Sequence, residues 1–175
     1  MIDKHTIAQC CKGNRKAQKI LYKTYAQKMF VYCYRYVKQK EDAEEILSEG
    51  FIKVFQNLSK LEYRDAKSFE GWIRQIMVNE CLMFLRKQKN IVYDERQILL
   101  AETEPRIEGE LEAKDIYNLI LALPIGYRTV FNLYAIEGFS HREIAQKLDI
   151  GESTSRSQLT KARAMLKTLM AKTNI

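Results

Sequence analysis

Between Gly138 and Leu159 the sequence spells two short helices joined by a tight turn, and that pairing constrains the chain more than any other feature. Ser140 followed three positions later by Glu143 is the signature of a capping box, in which each side chain satisfies an otherwise unpaired backbone N–H. Ile144, Ala145 and Leu148 then recur at helical spacing and give the first helix one apolar face. Asp149-Ile150-Gly151 ends it, with Gly151 expected to supply a positive φ, and Ser153 or Thr154 expected to cap the next helix. In that second helix Leu159, Ala162, Leu166 and Leu169 would face a core, while Arg156, Ser157, Thr160, Lys161 and Arg163 lie nearer the outside. This is the pattern of a helix-turn-helix, whose second helix enters the major groove of DNA. Two core helices with a solvated basic face would produce much the same pattern, so the rest of the chain has to decide.

The rest of the chain is helical too. Only 7 Gly and 2 Pro punctuate 175 residues, and no alternating apolar and polar runs announce strands, so an all-α architecture is expected. No apolar run approaches the roughly 18 residues needed to span a bilayer, so no membrane insertion is expected. The opening Met-Ile-Asp-Lys-His-Thr is polar and lacks the apolar core of a signal peptide, so a cytoplasmic location is expected.

Catalytic chemistry finds no foothold. The only histidines are His5 and His141, there is no Gly-rich loop, and the carboxylates are spread as helix faces. Cys10, Cys11, Cys33 and Cys81 show no CxxC spacing, so neither metal nor cofactor is expected. Cys33 and Cys81 read as small buried hydrophobes, and the adjacent Cys10-Cys11 pair leaves a redox role open.

Charge divides the chain in three. Residues 1–93 carry 18 Lys/Arg against 10 Asp/Glu, residues 94–115 carry 3 against 8, and residues 116–175 carry 8 against 4. Two basic bodies flanking an acidic connector suggest two nucleic-acid-facing domains on a flexible tether. The divisions expected are a domain over 1–90, an acidic linker over 91–112 and a helix-turn-helix domain over 113–175.

The N-terminal body reads as about four helices. Tyr22, Tyr25, Phe30, Tyr32, Tyr34 and Tyr36 cover more than one helix face, so some belong to a core and others remain for the surface or for stacking on bases. Over residues 41–58, Ala43, Ile46 or Leu47, Phe51, Val54 and Leu58 form an apolar stripe, with Asp42, Glu45 and Glu49 on the opposite side. An acidic stripe in a basic body is ill suited to DNA; it fits a basic protein partner or plain solvent. Residues 59–68 read as a polar loop, and Phe69 to Lys87 as a buried helix with a basic tail. Asn79, among apolar neighbours, is either a satisfied core amide or a group kept for base contact.

Taken together these blocks resemble the extracytoplasmic-function (ECF) group of bacterial sigma factors. Asp42 to Phe55 looks like the conserved region 2 helix, Phe69-Glu70-Gly71-Trp72-Ile73 with Val78-Asn79 and Arg86-Lys87 like the promoter-melting segment. Leu123-Pro124, Tyr127 to Leu133, Glu137 to Ser140 and Glu143-Ile144-Ala145 look like region 4. Ser48 stands where the family usually has glutamine, and Ser155 where it often has valine, which would loosen packing there. The resemblance implies a factor that binds core RNA polymerase at its clamp and flap, and also binds promoter DNA. An anti-sigma factor is a further candidate partner. Asp42, Glu45, Ser48, Glu49 and Phe51 would dock on the clamp. Tyr63, Arg64, Lys67, Ser68 and Asn79 would capture the melted −10 element, and Thr154 to Arg163 would read the −35 duplex. A stress or envelope signal would set the regulon. The competing reading is a helix-turn-helix regulator that never touches polymerase; it leaves the acidic helix and the Trp72–Asn79 block without a purpose.

Overall fold

The computed structural model describes residues 2–88 and 111–173, and among these every regular element is helical. The chain divides into two compact units, Met1–Lys87 and Gln88–Ile175.

In the first unit, Asp3 starts α1 (Lys4–Cys11) by accepting the Thr6 N–H at 2.8 Å. Gly13, at φ +76°, turns the chain, and Asn14 caps α2 (Arg15–Val37) by accepting from Lys16 and Ala17. α2 then packs with α3 (Lys40–Asn57) and α4 (Ala66–Lys87) as a three-helix bundle, and α1 lies against α2 and the 3₁₀ turn Leu58–Lys60. Leu21, Met29, Cys33, Val54, Ile73 and Met77 are wholly buried at its centre. α3 meets α4 at Gly50, where an added Cβ would collide with the Met77 sulfur. One side of that contact is locked by Lys53, whose Nζ reaches both oxygens of the nearly buried Glu80 carboxylate at 2.7 Å.

The aromatic run of α2 is sorted by this packing. Tyr25, Tyr34 and Tyr36 are buried, Phe30 and Tyr32 are half-buried, and Tyr22 is exposed. Cys33 and Cys81 are buried as expected, and burial pushes the Cys81 thiol up, away from the reactive thiolate. Cys10 is buried and Cys11 exposed.

The second unit comprises α5 (Leu111–Leu121), α6 (Ile125–Phe131), a π-helical turn over Asn132–Ile136, α7 (His141–Leu148) and α8 (Glu152–Thr173). α8 is the spine, packing against α5, α6 and α7. Leu123, Tyr127 and Ala162 meet at its middle, flanked by the half-buried Phe131, Met165 and Leu166. The buried Arg128 ties the end of α5 to α6, its Nη1 donating to the Leu121 and Leu123 carbonyls at 3.1 Å each. The acidic connector expected over 91–112 lies outside the described residues apart from its last two positions, which already belong to α5.

Candidate nucleic-acid and protein interfaces

The helix-turn-helix forms, with its turn built differently from expectation. The capping box is present: Glu143 Oε2 accepts from the Ser140 backbone N–H and hydroxyl at 2.8 and 2.7 Å, and Ser140 Oγ accepts the Glu143 N–H. Those donors hold the Glu143 carboxyl below the usual carboxylate range. Asp149, not Gly151, takes the left-handed conformation that ends α7, at φ 55° and ψ 50°. Aspartate tolerates that region because its short polar side chain can bond locally. Gly151 instead opens α8, its carbonyl accepting from the Ser155 N–H at 3.0 Å. Ser153 and Thr154 therefore lie within the first turn rather than at the cap.

Along α8, Arg156, Ser157, Thr160 and Arg163 are exposed on one face, with Thr154 and Lys161 half-exposed on its flanks. Leu159 and Ala162 are buried on the other side, and Leu166 and Leu169 half-buried. Arg156 is held by Glu152 one turn earlier, and the Arg163 guanidinium sits 5.5 Å from the Tyr134 ring centre. Ser155 does not loosen this helix. It is fully buried, and its Oγ lies 2.9 Å from His141 Nδ1 at the start of α7. His141 in turn stacks on Tyr134 of the π-helical turn, with ring centres 4.6 Å apart. No local sequence signal links Ser155 to a residue fourteen positions away.

In the first unit, the segment read as a loop over 59–68 is largely consumed by structure at both ends. Leu58–Lys60 is a 3₁₀ turn, and α4 begins at Ala66, so Lys67 and Ser68 belong to its first turn. Asp65 accepts the Ser68 N–H and hydroxyl at 2.8 and 2.7 Å, which holds its carboxyl below the ordinary range. What remains is a cleft of about 330 Å³ lined by Leu61, Glu62, Tyr63, Arg64, Ser68 and Phe69. Tyr63 is half-buried, edge-on to Phe69, and its hydroxyl donates to the Ile2 carbonyl at 2.9 Å. Its ring is therefore a wall of the cleft and its hydroxyl a tie to the N-terminus. Arg64 and Lys67 are exposed. Asn79 is exposed too, which removes the core-amide reading; it does not line this cleft. Leu61 and Phe69, the apolar lining, were not among the expected contacts.

The acidic helix α3 stands as a ridge between two grooves. Glu45 and Glu49, both exposed, border a cleft of about 180 Å³ against α4, beside the Lys53–Glu80 pair. Ser48 and Glu44 border a groove of about 490 Å³ against Tyr22 and Phe30 of α2. Ser48 Oγ donates to the Glu44 carbonyl at 2.9 Å. Asp42 is half-exposed in the first turn, where a carboxylate also complements the helix dipole. Phe51, expected on the docking face, is instead buried at 3 % exposure against Tyr22 and Phe55. The apolar stripe to which it belongs faces the bundle, so it supports the ridge without presenting a surface. Ile52, which the stripe pattern had left aside, is the apolar side chain exposed on that ridge, at 50 %.

Family comparison divides the chain in the same order. The sigma-70 region 2 family matches residues 21–91, and the sigma-70 region 4 family matches residues 113–166. The ECF RNA polymerase sigma factor SigW of Bacillus subtilis is 27% identical over 95% of this chain and 96% of its own length. The ECF RNA polymerase sigma-E factor of Haemophilus influenzae is 25% identical over 95% of this chain and 94% of its own. In fold, the chain is similar to the sigma factor RpoE of Bartonella quintana, solved in complex with the anti-sigma factor NepR. That likeness has a TM-score of 0.53 at 19% identity, over 87% of this chain and 96% of that one. The two family matches, in one chain and in that order, identify a sigma-70-type transcription factor. The chain belongs to its ECF group, the RNA polymerase sigma factors that direct transcription initiation. Among the described residues no helix is long and apolar enough to cross a membrane.

Proposed function

We propose that residues 1–90 dock on core RNA polymerase and hold the melted −10 element, that 113–175 reads the −35 duplex, and that 91–112 tethers the two. The observation that carries this reading is the occurrence in one chain, in order, of the region 2 and region 4 matches. The α3 ridge, with Asp42, Glu45, Ser48, Glu49 and the exposed Ile52, is the surface for the polymerase clamp; Phe51 supports it from below. Carboxylates there repel phosphate and favour an electropositive protein groove. The cleft behind Tyr63, Arg64 and Ser68 offers one unstacked base an apolar floor in Phe69 and Leu61 with polar groups at its rim, the combination that single-strand reading requires. Lys67 and Asn79 on α4 contact the strand outside it. Arg156, Ser157, Thr160 and Arg163 face the major groove, with Thr154 and Lys161 on the flanking phosphates.

The chain itself performs no bond chemistry; it positions DNA for the polymerase, and acts in the cytoplasm where the polymerase is. An anti-sigma factor, the partner in the Bartonella quintana complex, is a natural regulator here too. Gel filtration with bacterial core polymerase tests the docking half directly. Co-elution at one chain per core is expected. A chain that binds duplex DNA yet never shifts with core would be a conventional helix-turn-helix regulator.

A further inference from the structure

His141 is the first residue of α7, and Ser155 closes the first turn of α8. Their contact at 2.9 Å therefore joins the N-terminal ends of the two helices that must keep a fixed angle for α8 to sit in a groove. The imidazole is clamped from a third side by Tyr134, and the same Tyr134 ring carries the guanidinium of Arg163. Arg156 follows Ser155 directly. The chain of contacts Arg163–Tyr134–His141–Ser155 thus runs from one arginine expected to meet DNA to the immediate neighbour of the other, Arg156.

We propose that His141 is a positioning residue for the recognition helix, acting through Ser155, and that protonation of its ring couples −35 binding to pH. This rests on the reading of α8 as the DNA-facing helix.

The geometry allows the ring to titrate without dismantling the joint. Neutral imidazole can accept the Ser155 hydroxyl proton at Nδ1, and the imidazolium can donate to the same oxygen. The free protein opposes the charge: burial, then Arg156 and Arg163, hold the His141 ring below its usual value, with Glu152 alone pulling the other way. The positive end of the α7 dipole adds to that opposition. Phosphates arriving at these helix ends reverse the balance, since they neutralise the arginines and favour a cation between them. Binding would then take up a proton, and affinity would rise as pH falls through the ring's raised value in the complex toward its lowered value in the free protein.

The test compares the full chain with His141→Asn, assembled with core polymerase, on a promoter fragment selected from a randomised −35 library, from pH 5.5 to 8. An Asn side chain can place a polar atom near Nδ1 to keep the Ser155 contact, yet it cannot titrate. For the parent, binding about five- to tenfold tighter at pH 5.5 than at pH 7.5 is expected, with a salt slope steeper by up to about one at low pH. His141→Asn should bind like the parent at pH 7.5 and lose most of the acid gain. Ser155→Ala should weaken binding at every pH while keeping the gain. His5→Asn, replacing the only other histidine, should change nothing. An acid gain that survives in His141→Asn, or a parent with none, overturns the proposal. The DNA-facing reading fails separately, if Arg156→Ala binds the promoter as tightly as the parent at all pH values.

Discussion

A single side chain decides several of the local geometries. Ser140 serves both halves of a reciprocal cap, so Ser140→Ala should cost about 1 kcal/mol of stability in the C-terminal unit, read from circular-dichroism melts at pH 7. The same cap has a pH signature. The Glu143 carboxyl is held below its ordinary value of 4.5, so its contribution is fully present above that pH and is lost as pH falls through the lower native value. The gap between parent and Ser140→Ala melts should therefore narrow between pH 5 and pH 3. This cap was legible in the sequence because it is local, a serine and a glutamate three positions apart. The end of the same helix was not. Two residues near that end, Asp149 and Gly151, can tolerate a positive φ, and it is the aspartate that takes it while its backbone N–H still donates to the Ala145 carbonyl. The role of Ser155 is hidden for a different reason: its partner, His141, is brought to it only by the tertiary fold.

At the level of elements, helical spacing marks α3 and α4, whereas the aromatics of α2 cover more than one face and only packing sorts them. Phe51 shows the ambiguity: it fitted both the buried stripe and the family's contact surface, and the bundle took it. α4 begins one turn before the first apolar residue of its stripe, because Asp65 caps it through Ser68, a polar pair that reads as loop by composition. The π-helical turn at Asn132–Ile136 carries no sequence mark at all. Two predictions belong here. Gly50→Ala places a methyl group against the buried Met77 sulfur; overpacking of about 1–3 kcal/mol should outweigh the gain of up to about 1 kcal/mol in helix propensity. Thermal melts should show a net loss. Glu49→Lys, on the exposed ridge, should instead alter stability by less than about 0.5 kcal/mol while weakening assembly with core polymerase. Parent-like assembly by the folded variant would take Glu49 off the docking surface.

In the whole molecule, the proposed function joins a single-strand reader and a duplex reader in one chain. Charge divides the sequence into two basic segments about an acidic one, and the order of motifs agrees with the region 2 and region 4 matches. What no sequence pattern carried was the cleft beneath Tyr63, because its floor, Phe69, and its wall come from either side of a capped helix start. In vitro transcription with core polymerase over a library of promoters tests the joint claim most directly. Two separate blocks of constrained positions are expected, one upstream and one overlapping the melted region. Arg156→Ala should relax only the upstream block, at a cost of about 1–3 kcal/mol in promoter affinity. Asn79→Ala should impair the downstream block, more on closed duplex than on templates already unpaired there. Transcription no greater than that of core alone, or a single constrained block untouched by Asn79→Ala, would contradict the account.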